Sequence, residues 1–388
     1  MISFTDLRPF YALLIIISML FSGITILNPS KVSGEEVSGS IVISSDGDLG
    51  SSQYVSGSGT STDPYTISNY TMKNGSIRVS YTTDYLHIRD IEFPSNSSLA
   101  SSDWAIDLLD VRDVTVSDIR CDNWTKFIRI RSSNNVLVED SDVTIPGSSG
   151  NSVSVENSGE ITFRNTTLKH HGNISGSTFV LTGNGENQRI TNCHFDNVPL
   201  IDFQFLDGKI DNNTFTNSSL RISNGDEGGR ISGNLFRDSG SDGIIIVNSY
   251  KIVINGNIFT NLENGIYFEQ EWYTTDRSYI LGNLFEFCNR GIETRQHYQC
   301  RLQSWVIRGN FFGNCTDKAI RLNYAWSNQI YHNAFYMNDG KDNTSSGSQV
   351  SQMYYNNQFT VGGVGNFWSN HQTPDRDNNG IVDTPHVI

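Results

Sequence analysis

The chain has 388 residues, of which 37% are hydrophobic and 18% charged, and its 27 basic side chains face 41 acidic ones for a formal net charge of −14. That balance argues against nucleic acid as a partner, which calls for a basic face. It fits an acidic protein in contact with solvent, whose carboxylates suit divalent cations.

Residues 1–40 open the chain with an uncharged, mostly apolar run from Phe10 to Leu27, preceded by Arg8. The run reads as an export signal or an N-terminal membrane anchor. No clear small-x-small cleavage site precedes the polar stretch from Ser30 to Ser40, and no second apolar run follows. The expected location is extracellular, at the cell surface or in the periplasm, with membrane contact only through this segment. Residues 41–90 form a lead-in region, in which Gly57-Ser-Gly-Thr60 and Asp63-Pro64-Tyr65 through Ile67 are expected to begin the first coil and cap its exposed edge.

Residues 91–360 carry a repeat. Its mark is an aliphatic or aromatic residue, two spacers, a small polar residue, one spacer and Phe. Clear copies end at Asn213-Thr-Phe215, Asn234-Leu-Phe236, Asn257-Ile-Phe259, Asn283-Leu-Phe285, Asn310-Phe-Phe312 and Asn333-Ala-Phe335. A looser copy at Asn357-Gln-Phe359 closes the series, and weaker copies run back through Phe195, Leu168, Val143, Cys121 and Phe93. Marks 20 to 28 residues apart, joined by short runs of period-2 alternation, predict an all-β solenoid of about 11–12 coils. Stacked coils pair as parallel strands. Each Phe would point inward, and each Asn would sit in a left-handed bend and bond to the Asn of the next coil. A second phase, Gly243-Ile244, Gly265-Ile266, Gly291-Ile292 and Ala319-Ile320, places another bend and another inward column.

Aligning four coils on that second bend brings Tyr250, Trp272, Tyr298 and Trp326 into one column, a candidate sugar-stacking face. Outward positions nearby carry Glu269, Glu293, Arg295, Arg321 and Asn323, with Glu271 and His297 just beyond. Rings can stack on pyranose faces while polar groups read hydroxyls. The plain alternative is that the rings stack on each other and that Glu269 with Arg295, and Glu293 with Arg321, are cross-strand ion pairs. If the face is catalytic, Glu269, Glu271, Glu293, Arg295 and His297 are the candidates for glycosidase or lyase chemistry.

Cys288 and Cys315 each fall three residues after a Phe mark in neighbouring coils, so they either bridge or stand as two stacked thiols; with five cysteines, complete pairing within the chain is impossible. The C-terminal cap, residues 361–388, holds Asp375, Asp377, Asn379, Ile381 and Asp383 around Gly380. Oxygen donors at relative positions 1, 3, 5 and 9, with the backbone carbonyl at 7, match the first part of a calcium loop, although His386 replaces the Glu of position 12. A structural Ca²⁺ pinning the cap is expected. The histidines are scattered and the five methionines do not cluster, so a copper site is not visible.

The repeats, the Gly57–Tyr65 segment and the ending Gly365-Asn366-Phe367-Trp368-Ser369-Asn370 through Pro385 resemble the NosD-like periplasmic copper-binding family and the carbohydrate-binding and sugar-hydrolase β-helix module. The resemblance covers roughly residues 50–388 and implies an exported, single-stranded, right-handed parallel β-helix. It also implies copper-site maturation as one family role. Asn370 stands where the family pattern has Asp, and the Met/His cluster is missing. The sequence reading is an exported, non-catalytic, monomeric surface protein that binds a polysaccharide or surface glycoconjugate. A polysaccharide lyase or glycosidase on the same face, or a NosD-like maturation factor, are the alternatives.

Overall fold

A computed structural model describes residues 34–94, 104–122, 124–146, 150–172, 178–182, 186–204, 207–223, 228–269, 277–295, 302–340, 348–352 and 356–369. They form a right-handed parallel β-helix. Every coil visits three ladders in turn. The first ladder stacks thirteen strands: 41–43, 77–82, 106–111, 128–131, 153–156, 179–182, 201–204, 220–223, 244–247, 264–268, 290–294, 318–322 and 350–352. The second ladder includes Arg189–Thr191, Lys209–Asp211, Arg230–Ser232 and Val253–Asn255, and the third includes His194–Asp196, Thr214–Thr216, Leu235–Ser239 and Ile258–Leu262. Pairing is parallel throughout these ladders, with each Ile and Phe of the repeat directly opposite its counterpart.

The Asn of each mark sits inside the corner between the second and third ladders. Asn257 Oδ1 accepts from both the backbone N and the Nδ2 of Asn234 at 2.9 Å, and Asn257 Nδ2 donates to Asn283 Oδ1 and to the Ile231 carbonyl, each at 2.9 Å. The same pattern links Asn213, Asn234, Asn257, Asn283, Asn310 and Asn333. These asparagines are not the left-handed residues. Positive φ falls one position earlier, on Asn212, Gly233, Gly256, Gly282, Gly309 and His332. The bend thus turns the following backbone N–H inward, where only the next coil's side chain can reach it.

Beside this ladder the rings of Phe195, Phe215, Phe236, Phe259, Phe285, Phe312, Phe335 and Trp368 stack in one column, with centroids 4.3–5.1 Å apart and planes within 15° of parallel. The column explains the small residues of the second phase: a Cβ on Gly265 would lie 2.5 Å from the Phe285 ring, and one on Gly291 2.6 Å from the Phe312 ring.

Both ends differ from the sequence expectation. The stack starts before the Gly57 segment, at Glu35–Val37, which pairs with Tyr65–Met72; Ile41–Ile43 follows, then a short helix, α1 (Asp46–Ser51), with Leu49 buried in the core. Gly57 to Ile67 instead make a hydrogen-bonded turn leading into Tyr65–Met72. At the other end Asn357 does not join the Asn ladder. Asn366 does, accepting from Asn333 N and Nδ2 at 3.0 Å, and Trp368 takes the place expected for Phe359. Asn357 belongs to another corner, where its Oδ1 accepts from Asn328 N and Nδ2. The longer final coil hides the mark, since Trp368 lies 33 positions after Phe335.

Asn257→Ala strands the N–H and the amide of Asn234 in the core. A loss of about 3–5 kcal/mol is expected, against about 1–2 kcal/mol for Phe259→Leu, and chemical denaturation of the two variants checks the order.

Candidate functional site

The functional candidates lie on the first ladder and on the corner that follows it. Period-2 alternation turns every second side chain of the ladder to solvent. Register sets Tyr267 beside Glu293, and Glu293 beside Arg321. At the entry to the ladder, each of four coils places a polar residue ahead of its small bend residue: Asp242, Asn264, Arg290 and Lys318.

Arg290 organises the surface. Its Nη1 lies 3.0 Å from Glu263 Oε1 and 3.0 Å from Glu293 Oε2, and its Nε donates to Asp317 Oδ2 at 2.8 Å. Arg321 adds Nη2 to Asp317 Oδ2 at 2.5 Å and Nη1 to Glu293 Oε1 at 3.7 Å. Two guanidiniums and three carboxylates thus form one network. Glu293, a candidate catalytic carboxylate, is held inside it with its side chain 14% exposed, and burial lifts its pKa although both cations oppose the shift. Such a carboxylate is committed to structure, because removing either partner strands a charge.

Asp242 behaves differently. Its carboxylate accepts from Asn264 Nδ2 at 2.6 Å and has no cation partner among the described residues. Burial, then the charges of Glu263, Glu293 and Glu269, push it up to about 6, while the Asn264 bond opposes them. The Tyr267 hydroxyl is pushed up to about 12 by burial and by Glu269 and Glu293, and Arg295 acts in the opposite sense. One carboxyl ready to hold a proton among ionised neighbours is the division of roles that acid–base chemistry uses.

Of the four aromatics expected in one column, two are described. Tyr250 is half-buried beneath Lys251, whose Nζ lies 5.8 Å from the ring centre. Trp326 is half-buried, and its Nε1 donates to Gln303 Oε1 at 3.1 Å. Leu302–Gln303 and Ala325–Trp326 pair as a separate two-stranded sheet beside the main stack. Trp272, Tyr298, Glu271 and His297 lie outside the described residues, as does the calcium-loop motif Asp375, Asp377, Asn379, Ile381 and Asp383. Glu269 and Arg295 stand one residue past the ends of strands Asn264–Phe268 and Arg290–Thr294. Asn323 is not outward: it is 5% exposed, and its Nδ2 donates to the Thr294 carbonyl.

Cys288 and Cys315 are free thiols rather than a bridge. They are neighbours, since Thr316 N donates to the Cys288 carbonyl, but the Cys288 thiol aims at the carbonyls of Phe259 and Glu286. Burial raises the pKa of both, that of Cys288 to about 12. Protonated, buried thiols are poor nucleophiles. Among the described residues no group of three or more His, Cys, Asp or Glu could hold a metal ion.

Asp242, Glu263, Arg290 and Asp317 were missed by the sequence reading. The signal was present, because the two residues before each small bend are polar in all four coils.

With its pKa raised above the ordinary 3.9, Asp242 binds its proton more tightly in the folded state, so it costs stability as the pH rises from about 4 through 6. Asp242→Asn keeps an acceptor for Asn264 and removes that cost. The variant is expected to be more stable at pH 7.5 by on the order of 1–2 kcal/mol, and equal to the parent at pH 4, as thermal melts across pH will read.

Residues 206–373 match the model of a family described as periplasmic copper-binding protein (NosD). No curated protein matches the chain. Among solved structures, a tailspike protein mutant of E. coli bacteriophage HK620 in complex with a pentasaccharide matches with a TM-score of 0.46 and 11% identity, covering 82% of this chain and 72% of that one. The A-module of the Azotobacter vinelandii mannuronan C-5 epimerase AlgE4 matches with a TM-score of 0.44 and 12% identity, covering 85% of this chain and 91% of that one. Over residues 206–373 the chain therefore matches the NosD family that its repeats and its ending resemble, and it winds as a right-handed parallel β-helix.

Proposed function

We propose that this is an exported β-helix protein of the cell surface or periplasm that binds glycan, without catalysis, at the corner between the first and second ladders. The observation that carries the reading is the platform at that corner. The loops there form their own small sheet, which holds Trp326 half-open against Gln303. An indole fixed by a hydrogen bond loses little entropy when a sugar ring stacks on it. Trp272 and Tyr298, at the matching sequence positions of the two preceding coils, are the proposed partners of Trp326.

A second reading, glycosidase or lyase on the adjoining face, is favoured by Asp242 alone, whose carboxyl is set to exchange a proton near pH 6. Both readings are separated in one experiment on the full chain with a glycan array. Trp272→Ala combined with Trp326→Ala is expected to lose binding at least about tenfold with the melting temperature retained. Unchanged binding sinks the platform. Release of reducing ends or of unsaturated products, abolished by Asp242→Asn, would instead establish the catalytic reading.

We also propose that Asp375, Asp377, Asn379, the carbonyl of Ile381 and Asp383 hold a structural Ca²⁺ at the C-terminal cap, on the strength of the motif. Millimolar calcium is expected to raise the melting temperature by about 2–4 °C, and Asp375→Ala with Asp377→Ala to abolish the rise.

A further inference from the structure

The second ladder carries a row of cations. Arg189, Lys209 and Arg230 open three successive strands and stand directly opposite one another in register. All three are exposed. Adjacent rungs are about 4.8 Å apart. Like charges in directly opposed positions destabilise a sheet. Arg290 and Lys318 are opposed in this way on the first ladder, but each is paired with carboxylates, Arg290 with Glu263, Glu293 and Asp317 and Lys318 with Asp339. Arg129 pairs with Asp107, and Arg164, one coil earlier on the second ladder, pairs with Glu139. Arg189, Lys209 and Arg230 make no ion pair among the described residues. The nearest carboxylate along the strand, Asp211, takes the hydroxyl of Ser232 instead. Glu186 and Asp207 sit on the approach to the strands and are exposed to solvent.

The row does not end there. Lys251 and Arg277 lie two residues ahead of Val253 and Tyr279, which continue the same register position, so the next two coils each add a cation at this edge. On one side Lys209, Asp211, Arg230, Ser232 and Asn255 line an open polar depression that crosses the coils. Tyr250 and Trp326 lie further along the same edge.

We propose that this edge binds an acidic polysaccharide laid along the helix axis, with carboxylate or sulfate groups recurring along its backbone so that successive sugars meet successive coils. The inference rests on the glycan reading above and gives it a substrate class. A ligand supplies the anions that Arg189, Lys209 and Arg230 lack among the described residues.

The test uses the full chain, with labelled polygalacturonate and dextran sulfate as probes, neutral dextran as control and poly(dT) as the competing polyanion, at 50 and 200 mM NaCl. The parent is expected to bind both acidic glycans, at least about tenfold more weakly at the higher salt, and not to bind dextran. Arg189→Gln, Lys209→Gln and Arg230→Gln combined are expected to cut the affinity at least about tenfold and to flatten the salt dependence, with the melting temperature kept because all three side chains are exposed. Trp326→Ala should leave the salt slope unchanged. Acidic-glycan binding that is indifferent to the triple variant overturns the inference. Poly(dT) bound as tightly as polygalacturonate overturns the polysaccharide assignment. Neutral-glycan binding that depends on Trp326 alone leaves the glycan reading standing without this inference. Polyanion binding that depends on the row but ignores Trp326 does the reverse.

Discussion

The structure depends on how a coil treats the backbone N–H on the inside of each corner. Along the strands every N–H has a partner in the next coil. At a corner the chain turns and the N–H points into the core, where an unpaired donor is costly. The chain meets this demand with a side-chain oxygen from the following coil. Asn does so from Asn213 to Asn366, and Ser does so in earlier coils, where Ser141 accepts from Ile119 N and Ser133 from Val111 N. Asparagine has the advantage that its amide also donates onward, so each member is bound to the coil on either side. The left-handed residue just before it aims the N–H, and the Phe two positions later fills the space beneath. Period, core and corner chemistry are three views of one requirement.

A scaffold of this kind turns sequence position into surface address. A side chain on one coil has neighbours from the coils on either side, and charges of the same type must be interleaved or tolerated. On the first ladder they are interleaved, with Arg290 and Arg321 threaded among Glu263, Glu293 and Asp317. On the second ladder Arg189, Lys209 and Arg230 are not. The difference between these two faces separates a structural ion network from a surface that has kept its charge available. Asp242 is the exception on the first face, a carboxyl left among other carboxylates and therefore inclined to keep its proton.

Much of this was legible in the residues. Ile254, Asn257 and Phe259 announce an inward aliphatic, a corner amide and a stacking ring, because a stack of near-identical coils repeats the same local demand. The failures share a cause too. Asn357 looked like the last member of the ladder because it is followed by Phe at the right distance, yet the final coil is longer and Asn366 with Trp368 takes the position. Asn323 looked outward by alternation, but its strand ends at Leu322 and the side chain turns in to Thr294. Cys288 and Cys315 are neighbours as their spacing suggested, but adjacency does not fix the direction in which a thiol points.

The sequence by itself determined the parallel β-helix, its period, its inward columns and the polar corner, because each of these is a local requirement repeated coil after coil, and repetition is visible in one dimension. Only the tertiary structure decided which charges meet. Arg290 reaches carboxylates on two other coils, while among the described residues Asp242 meets no cation and Arg189, Lys209 and Arg230 make no ion pair. Charge pairing depends on side-chain direction and burial across coils of unequal length, and neither is written in the spacing of residues along the chain.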